Sequence, residues 1–291
     1  MQFRVHLLAF LALPAVAACD DTKPIEKGQR VFTTGHSFHV FVPGILTDLA
    51  KLGEIKDHTQ VGLSSIGGSR VIQHWDVAEE KNTAKKALIE GKVDVFTMSP
   101  IYLPDDGIGN FVELGLKHNP KMRFTIQEFW LPFDVYDPNY QKGKTPKPDR
   151  NAKTVEQLRK EHEPYFKAMD DHVRELNKKY DKTAVYVVPV GQAVILLREK
   201  VIAGNAPGIS SQAELFTDPI GHVKAPVQAL NAYCHYAVIY RKSPVGLPAP
   251  SVLTKSKEPL PDEKLNRLLQ ELAWEAVTTH SLSGVSAEVR K

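Results

Sequence analysis

The sequence predicts an α/β protein in which a mainly parallel five-stranded sheet is covered by helices on both faces, and three observations predict it. Short β-branched or apolar runs alternate with helix-length amphipathic segments, the order expected when parallel strands are joined by crossover helices. Five such runs occur, enough for one sheet. The composition of the 291 residues, 42% hydrophobic and 24% charged, leaves enough apolar surface for a sizeable core.

The elements follow in order. The first nineteen residues read as an export signal: Arg4 in a short charged start, an apolar run from Leu7 to Ala18, and small residues Ala15, Ala17 and Ala18 before Cys19. The apolar run is too short to span a bilayer. Two readings stay open there. Val16-Ala17-Ala18-Cys19 resembles a bacterial lipobox, in which Cys19 is lipidated and anchors the chain to a membrane; simple cleavage after an Ala-x-Ala stretch yields a secreted or periplasmic protein instead. No later segment is apolar for long enough to cross a membrane, and residues 28–291 are expected to form a single domain.

Candidate strands are Arg30 to Thr34, Thr59 to Ser64, Val93 to Met98, Arg123 to Trp130 and Ala184 to Val190. Phe41 to Leu52 and Asp76 to Glu90 read as crossover helices, with Gly53 and Gly91 where C-terminal caps are wanted. Asp134 to Lys153, rich in Pro, Lys, Asp and Asn, reads as a surface excursion. It leads into a plausible capping box, Thr154-Val155-Glu156-Gln157, and a charged helix to about Lys179 that Pro164 should bend or delay. Residues 134–180 are thus expected to be a helical insertion, either a lid or a hairpin decorating the rim. Gly204 to Pro226 is irregular, and Asp262 to His280 is a closing helix with Leu265, Leu268, Leu269 and Leu272 on one face.

Several functions are excluded early. The net charge of +3 supplies no basic block to neutralise a phosphate backbone, so nucleic acid is not expected as a partner. With Cys19 removed or modified, Cys234 is left unpaired and no disulfide framework can form; its apolar surroundings predict a buried, inert thiol. His36 and His39 with Asp105 and Asp106 could be drawn as metal ligands. The chain has no His-Glu-x-x-His, Cys-x-x-Cys or calcium-loop spacing, so no metal is expected. No phosphate-binding glycine loop is present either.

In parallel α/β sheets, ligands gather at the carboxyl ends of the strands. Gly35-His36-Ser37-Phe38-His39 follows the first run, Ser65-Ile66-Gly67-Gly68-Ser69 the second, Ser99-Pro100 the third, Leu131-Pro132 the fourth and Gly191-Gln192 the fifth. Ser37, between strand and helix, would expose its hydroxyl at the sheet edge, although a serine there is also a common helix N-cap. Gly67 and Gly68 let a backbone N–H approach a substrate oxygen, or simply make a tight turn. Asp218-Pro219-Ile220-Gly221-His222 sets a carboxylate near an imidazole, the arrangement in which an acid orients a base; a surface histidine beside a turn aspartate is the plainer reading.

A Gly-x-Ser after the first strand, a glycine loop after the second and a late Asp/His pair together resemble the SGNH (GDSL-like) hydrolase superfamily, in a bacterial branch of uncharacterised role whose opening reads His36-Ser37-Phe38. The resemblance spans about Arg30 to Tyr240. It implies a three-layer, flavodoxin-like α/β/α fold and a serine esterase or deacylase that needs no cofactor. Its substrate would be a short-chain acyl ester on a small molecule or glycan. By the same resemblance Ser37 is the nucleophile, Asp218 and His222 supply acid and base, and the N–H groups of Ser37 and Gly68 bind the oxyanion.

Two departures stand out. Asp218 and His222 are four residues apart, where the family pair is usually three apart, so the loop must bulge, and Gly221 could absorb that. Where the family has Gly-x-Asn-Asp, with the asparagine as a third oxyanion donor, this chain has Ser99-Pro100-Ile101-Tyr102, leaving Ser99, Asn110 or Gln127 as substitutes. That irregularity keeps a second reading open: a catalytically impaired lipoprotein that binds glycans or envelope components. Phe129, Trp130, Phe133, Tyr136 and Tyr140 could stack on a sugar or simply pack. Lys142, Lys144, Lys147 and Arg150 read as a solvated basic loop.

Overall fold

The computed structural model describes residues 23–136, 147–256 and 263–286. The signal-like segment with Cys19 lies outside the described residues, as do Tyr140, Lys142 and Lys144. The chain alternates strand and helix: β1 (Arg30–Gly35), α1 (Val42–Leu52), β2 (Thr59–Ser65), α2 (Val71–Trp75), α3 (Thr83–Ile89), β3 (Val95–Met98), α4 (Asp106–His118) and β4 (Arg123–Glu128). It continues with α5 (Val155–Lys179), β5 (Val185–Pro189), α6 (Val190–Ile202), α7 (Ala225–Tyr240), α8 (Ser251–Thr254) and α9 (Glu263–Thr279).

All five strands are parallel, in the order β2-β1-β3-β4-β5, the doubly wound flavodoxin-like arrangement. The fold is a three-layer α/β/α sandwich. β3 and β5 are buried along their whole length, as parallel strands covered on both faces must be, which is why their sequences read as unbroken apolar runs. β2 is an edge strand, exposed at alternate residues near its end. Helices α1, α6, α7 and α9 pack as one group and α2, α3 and α4 as another. Among the described residues no helix is long and apolar enough to cross a membrane.

Three expectations need correction. The helix expected over Asp76 to Glu90 is broken in two, because Asn82 both ends one piece and starts the next. Its amide donates to the carbonyls of His74 and Trp75 (2.9 and 3.2 Å), while its side-chain oxygen accepts from the Lys85 N–H at 2.9 Å as the N-cap of α3.

Among the described residues of 134–180, the expected insertion is part of the sheet's own winding and not a lid or rim hairpin. Its helix, α5, is the crossover between β4 and β5: Leu158, Tyr165, Met169, Val173 and Leu176 form a buried stripe, and the helix packs on β5 and α6 with Pro164 inside it. Of the aromatic residues after β4, Phe129 and Trp130 are almost wholly buried and Phe133 nearly so, which removes these three from sugar stacking; Tyr136 is partly buried, and Tyr140 lies outside the described residues.

The predicted capping box does open α5. Thr154 accepts from the Gln157 N–H while Gln157 accepts from the Thr154 N–H. The leucine stripe of α9 is buried at Leu265, Leu269 and Leu272, with Leu268 packed partly against the core.

Candidate active site

The carboxyl ends of β1, β2 and β3 bring three loops together. Gly35 pairs with Ser65, and Thr33 with Thr97, so the turn after β1 lies between the glycine loop after β2 and Ser99 after β3. Ser37 is exposed on that turn. The N-cap of α1 is Phe41, with no side-chain cap bond, so Ser37 is not spent on capping.

The turn is tightly held from below. The His36 carbonyl accepts from the N–H groups of His39 and Val40 (2.9 and 3.1 Å), and the Phe38 N–H donates to His36 Nδ1 at 3.3 Å. The Phe38 carbonyl accepts from Gln127 Nε2 on β4 at 2.9 Å and from Asn231 Nδ2 on α7 at 3.3 Å. His235 Nε2 in turn donates to Gln127 Oε1 at 3.1 Å, which fixes the amide's orientation. Gln127 is therefore occupied as a buried support for the turn, its amide turned to the Phe38 carbonyl and His235.

Ser37 Oγ donates to His222 Nε2 at 2.8 Å, and His222 Nδ1 donates to Asp218 Oδ2 at 2.5 Å. The other carboxylate oxygen, Asp218 Oδ1, accepts from the Gly221 and His222 N–H groups at 2.9 and 3.1 Å. Burial works to raise the Asp218 pKa, but the ring contact with His222 and these two N–H bonds outweigh it and hold the carboxyl below its usual range. The carboxylate therefore stays charged to face the ring. The three side chains sit at an open rim, with His222 and Asp218 about one-third exposed, 37% and 35%.

Gly221 takes φ +111°, a conformation that side chains avoid, and so absorbs the extra residue between Asp218 and His222. Gly68 takes φ +61° with open space where a Cβ would sit. No backbone partner meets the Gly68 or Ser37 N–H among the described residues. The loop is clamped by His74, whose two ring nitrogens bond Ser64 and Ser69 at 2.7 Å each, one on either side of the glycines. Asp105 fixes the same region: its carboxylate accepts from the N–H groups of Val71, Ile72 and Gly107 (2.8 to 3.0 Å), capping α2 and α4 together.

Ser99 Oγ lies 3.3 Å from His36 Nε2. Because His36 Nδ1 already accepts from Phe38, Nε2 carries the proton and donates to Ser99, leaving the serine's own proton free. Asn110 sits in the fifth position of α4 and makes no hydrogen bond linking it to this group. Among the described residues no cluster of three His, Cys, Asp or Glu side chains could hold a metal ion. His39 bonds the Thr34 carbonyl and Thr97, and Asp105 is fully used in capping.

Arg150, read from sequence as a solvated charge, is buried and takes part in holding the Asp218 loop. A solitary arginine in a Lys- and Pro-rich stretch gives no sequence signal for this. Two clefts, of about 880 and 720 Å³, lie between α5 and α9 and beside Leu247. Neither has Ser37, His222 or Asp218 in its wall, and neither holds an aligned nucleophile and base, so the chemistry is better sought at the open rim.

No protein-family model matches the chain, and no curated protein matches it. Among solved structures, it is similar to a DUF4886 family protein from Bacteroides uniformis, with a TM-score of 0.53 and 15% identity over 86% of this chain and 95% of that one. A likeness at that identity shows the fold alone. A candidate SGNH hydrolase from Slackia heliotrinireducens aligns with a TM-score of 0.42 and 14% identity over 72% of this chain and 97% of that one.

Proposed function

We propose that the chain is a serine esterase or deacylase that hydrolyses a short-chain acyl ester, with Ser37 as nucleophile, His222 as general base and acid, and Asp218 as the group that orients His222. The observation that carries this reading is the unbroken contact from Ser37 Oγ through His222 to Asp218, at 2.8 and 2.5 Å. Structural serine–histidine contacts are common, but one at the end of a parallel sheet, extended to a carboxylate and beside unpartnered N–H groups, has the geometry acyl transfer needs.

In the reaction, Ser37 Oγ bonds to the acyl carbon while His222 Nε2 takes its proton. The resulting oxyanion is met by the N–H groups of Ser37 and Gly68, with Ser99 as the candidate third donor. The bond to the alcohol breaks as Nε2 returns the proton to the departing oxygen. Water then attacks the acyl-serine and gives its proton to the same nitrogen; the acid leaves and Ser37 recovers its hydrogen. No cofactor enters these steps.

The open rim suits an acyl group carried on a bulky acceptor such as a carbohydrate. The N-terminal nineteen residues support action outside the cytoplasm, either as a released protein or anchored through Cys19. Replacing an asparagine donor by a serine is expected to leave a slow enzyme, since one oxyanion donor is worth about a hundred- to a thousandfold in turnover.

The test is hydrolysis of p-nitrophenyl acetate, with covalent labelling by a fluorophosphonate, by the native chain and by Ser37→Ala and His222→Ala. Both activities should vanish in the variants while the fold remains. Activity surviving both substitutions overturns the assignment. A native chain that neither turns over nor labels favours the binding-module reading, to which the irregular third block would then belong.

A further inference from the structure

We infer that Arg150 is a positioning residue for the reaction, the clamp that sets the loop carrying Asp218 and His222; this rests on the hydrolase reading above. Within the loop, Asp218 Oδ1 accepts from the Gly221 and His222 N–H groups, but the loop holds none of its own outward carbonyls. An isolated antiparallel bridge between Phe216 and Val223 closes its base, and the Thr217 N–H donates to the His222 carbonyl at 2.7 Å. Beyond that, its four outward carbonyls all accept from other segments. Arg150 Nη1 and Nη2 bond the Asp218 and Pro219 carbonyls at 3.1 and 2.9 Å, the Phe133 N–H bonds Ile220 at 3.0 Å, and Trp130 Nε1 bonds Gly221 at 2.8 Å.

Arg150 supplies half of those donors from a single planar group, a fork that lysine cannot reproduce. The guanidinium is itself fixed. It is 7% exposed, lies over the Phe216 ring at 4.2 Å and stands 3.9 Å from Asp134, whose carboxylate is held in a two-bond fork by Arg198 at 2.8 and 2.9 Å. Phe133 and Asp134 both adopt φ +55°, left-handed values that non-glycine residues keep only where their surroundings enforce them. That turn aims the Phe133 N–H at the loop and the Asp134 carboxylate at the two arginines. The positive charge so held lies close enough to Asp218 for the two to interact.

The placement gives Arg150 two effects: it fixes the path of the backbone on which acid and base sit, and it keeps a cation beside their pair. Misplacement of a catalytic group by about 1 Å costs on the order of a hundredfold in rate. Arg150→Lys keeps the charge and loses the fork; Arg150→Met loses both.

The experiment measures kcat and KM for p-nitrophenyl acetate and the fluorophosphonate labelling rate of Ser37 in the native chain and both variants, with rates scaled to folded protein by circular dichroism. The expected result is a kcat lowered about tenfold or more in both variants, with KM within twofold. The Ser37 labelling rate should fall in parallel, since it depends on the same base and not on the ester. Native-like kcat and labelling per folded molecule in Arg150→Lys overturn the inference, as does a loss that lies in KM alone. A native chain that fails to label or turn over counts against the hydrolase reading itself, a separate outcome visible before any Arg150 variant is made.

Discussion

Acidification to pH 5 should remove a large part of this protein's stability, and the amount follows from its buried imidazoles. His36, His74, His162 and His235 are all nearly inaccessible, and burial lowers their pKa from 6.5 to about 3, 4, 4 and 3 respectively; around His36, the neighbouring His39, His74 and His222 add to the effect. The unfolded chain takes up protons below pH 6.5 that the fold refuses. Their contribution to stability is therefore complete above 6.5 and is lost as pH falls towards 4 and below. At pH 5 each such group costs about 2 kcal/mol, so the four together cost on the order of 8 kcal/mol, and His39 and His58, lowered by burial in the same way, add to that.

Glu128 acts in the opposite direction. Burial raises its pKa from 4.5 to about 7, against the smaller lowering influences of His280 and Gln192. The fold keeps a proton that the unfolded chain releases, so this contribution is present below 4.5 and lost as pH rises through 7; at pH 5 it restores about 2.5 kcal/mol. The imidazoles win by roughly 5 kcal/mol or more, a large share of the 5–15 kcal/mol that holds a typical domain folded.

Urea unfolding followed by circular dichroism at pH 7.5 and pH 5.0 reads this directly. With a slope of about 3 kcal/mol per molar, the midpoint should fall by roughly 2 M. His235→Gln should recover about 2 kcal/mol of the histidine cost, since that group no longer titrates. Equal midpoints at the two pH values would refute the reasoning.

Other expectations concern the site. Gly221→Ala forces a side chain into φ +111°, with its Cβ 3.2 Å from Arg150 Nη2 and 3.4 Å from Trp130 Nε1; it should cost about 1–3 kcal/mol and lower kcat at least tenfold, and native kcat would show that the bulge does not need glycine. Gln127→Leu removes one of two donors to the Phe38 carbonyl and strands the His235 N–H; thermal unfolding should report a loss of about 1–3 kcal/mol, and Ser37 should label more slowly. An unchanged labelling rate would separate the buried network from the nucleophile's placement.

Much of the sheet was legible because most of its strands are buried on both faces. The runs at 30, 59, 93, 123 and 184 needed only the apolar, β-branched pattern to be found. α1 and α9 were legible for the complementary reason, as each has one apolar face. α7 was not, because all of its residues except Ala225 and Gln228 are buried and it has no polar face to reveal a helical period. α6 is hidden likewise, running directly on from β5 with no loop between. α4 begins with Asp-Gly-Ile-Gly, a poor helix start by composition that the Asp105 cap makes viable.

At the site, Ser37, Gly68, Asp218 and His222 could be named because each follows a strand or sits in a short local pattern. Their convergence is a matter of topology, and only the parallel register of β1 with β2 and β3 brings the first two loops together. Arg150, Trp130 and Gln127 carried no such signal. Their work is done on backbone carbonyls far away in sequence, and no residue type advertises that.

The separation of 185 residues between Ser37 and His222 has a consequence for a chain made from its N-terminus onward. The hydroxyl emerges early, and β1 can find β2 and β3 at once. The imidazole arrives only after β5 and α6 have been synthesised, on a segment leading into α7, which must dock on α1. Until that docking, a half-made molecule carries the Ser37 hydroxyl without the His222 imidazole beside it.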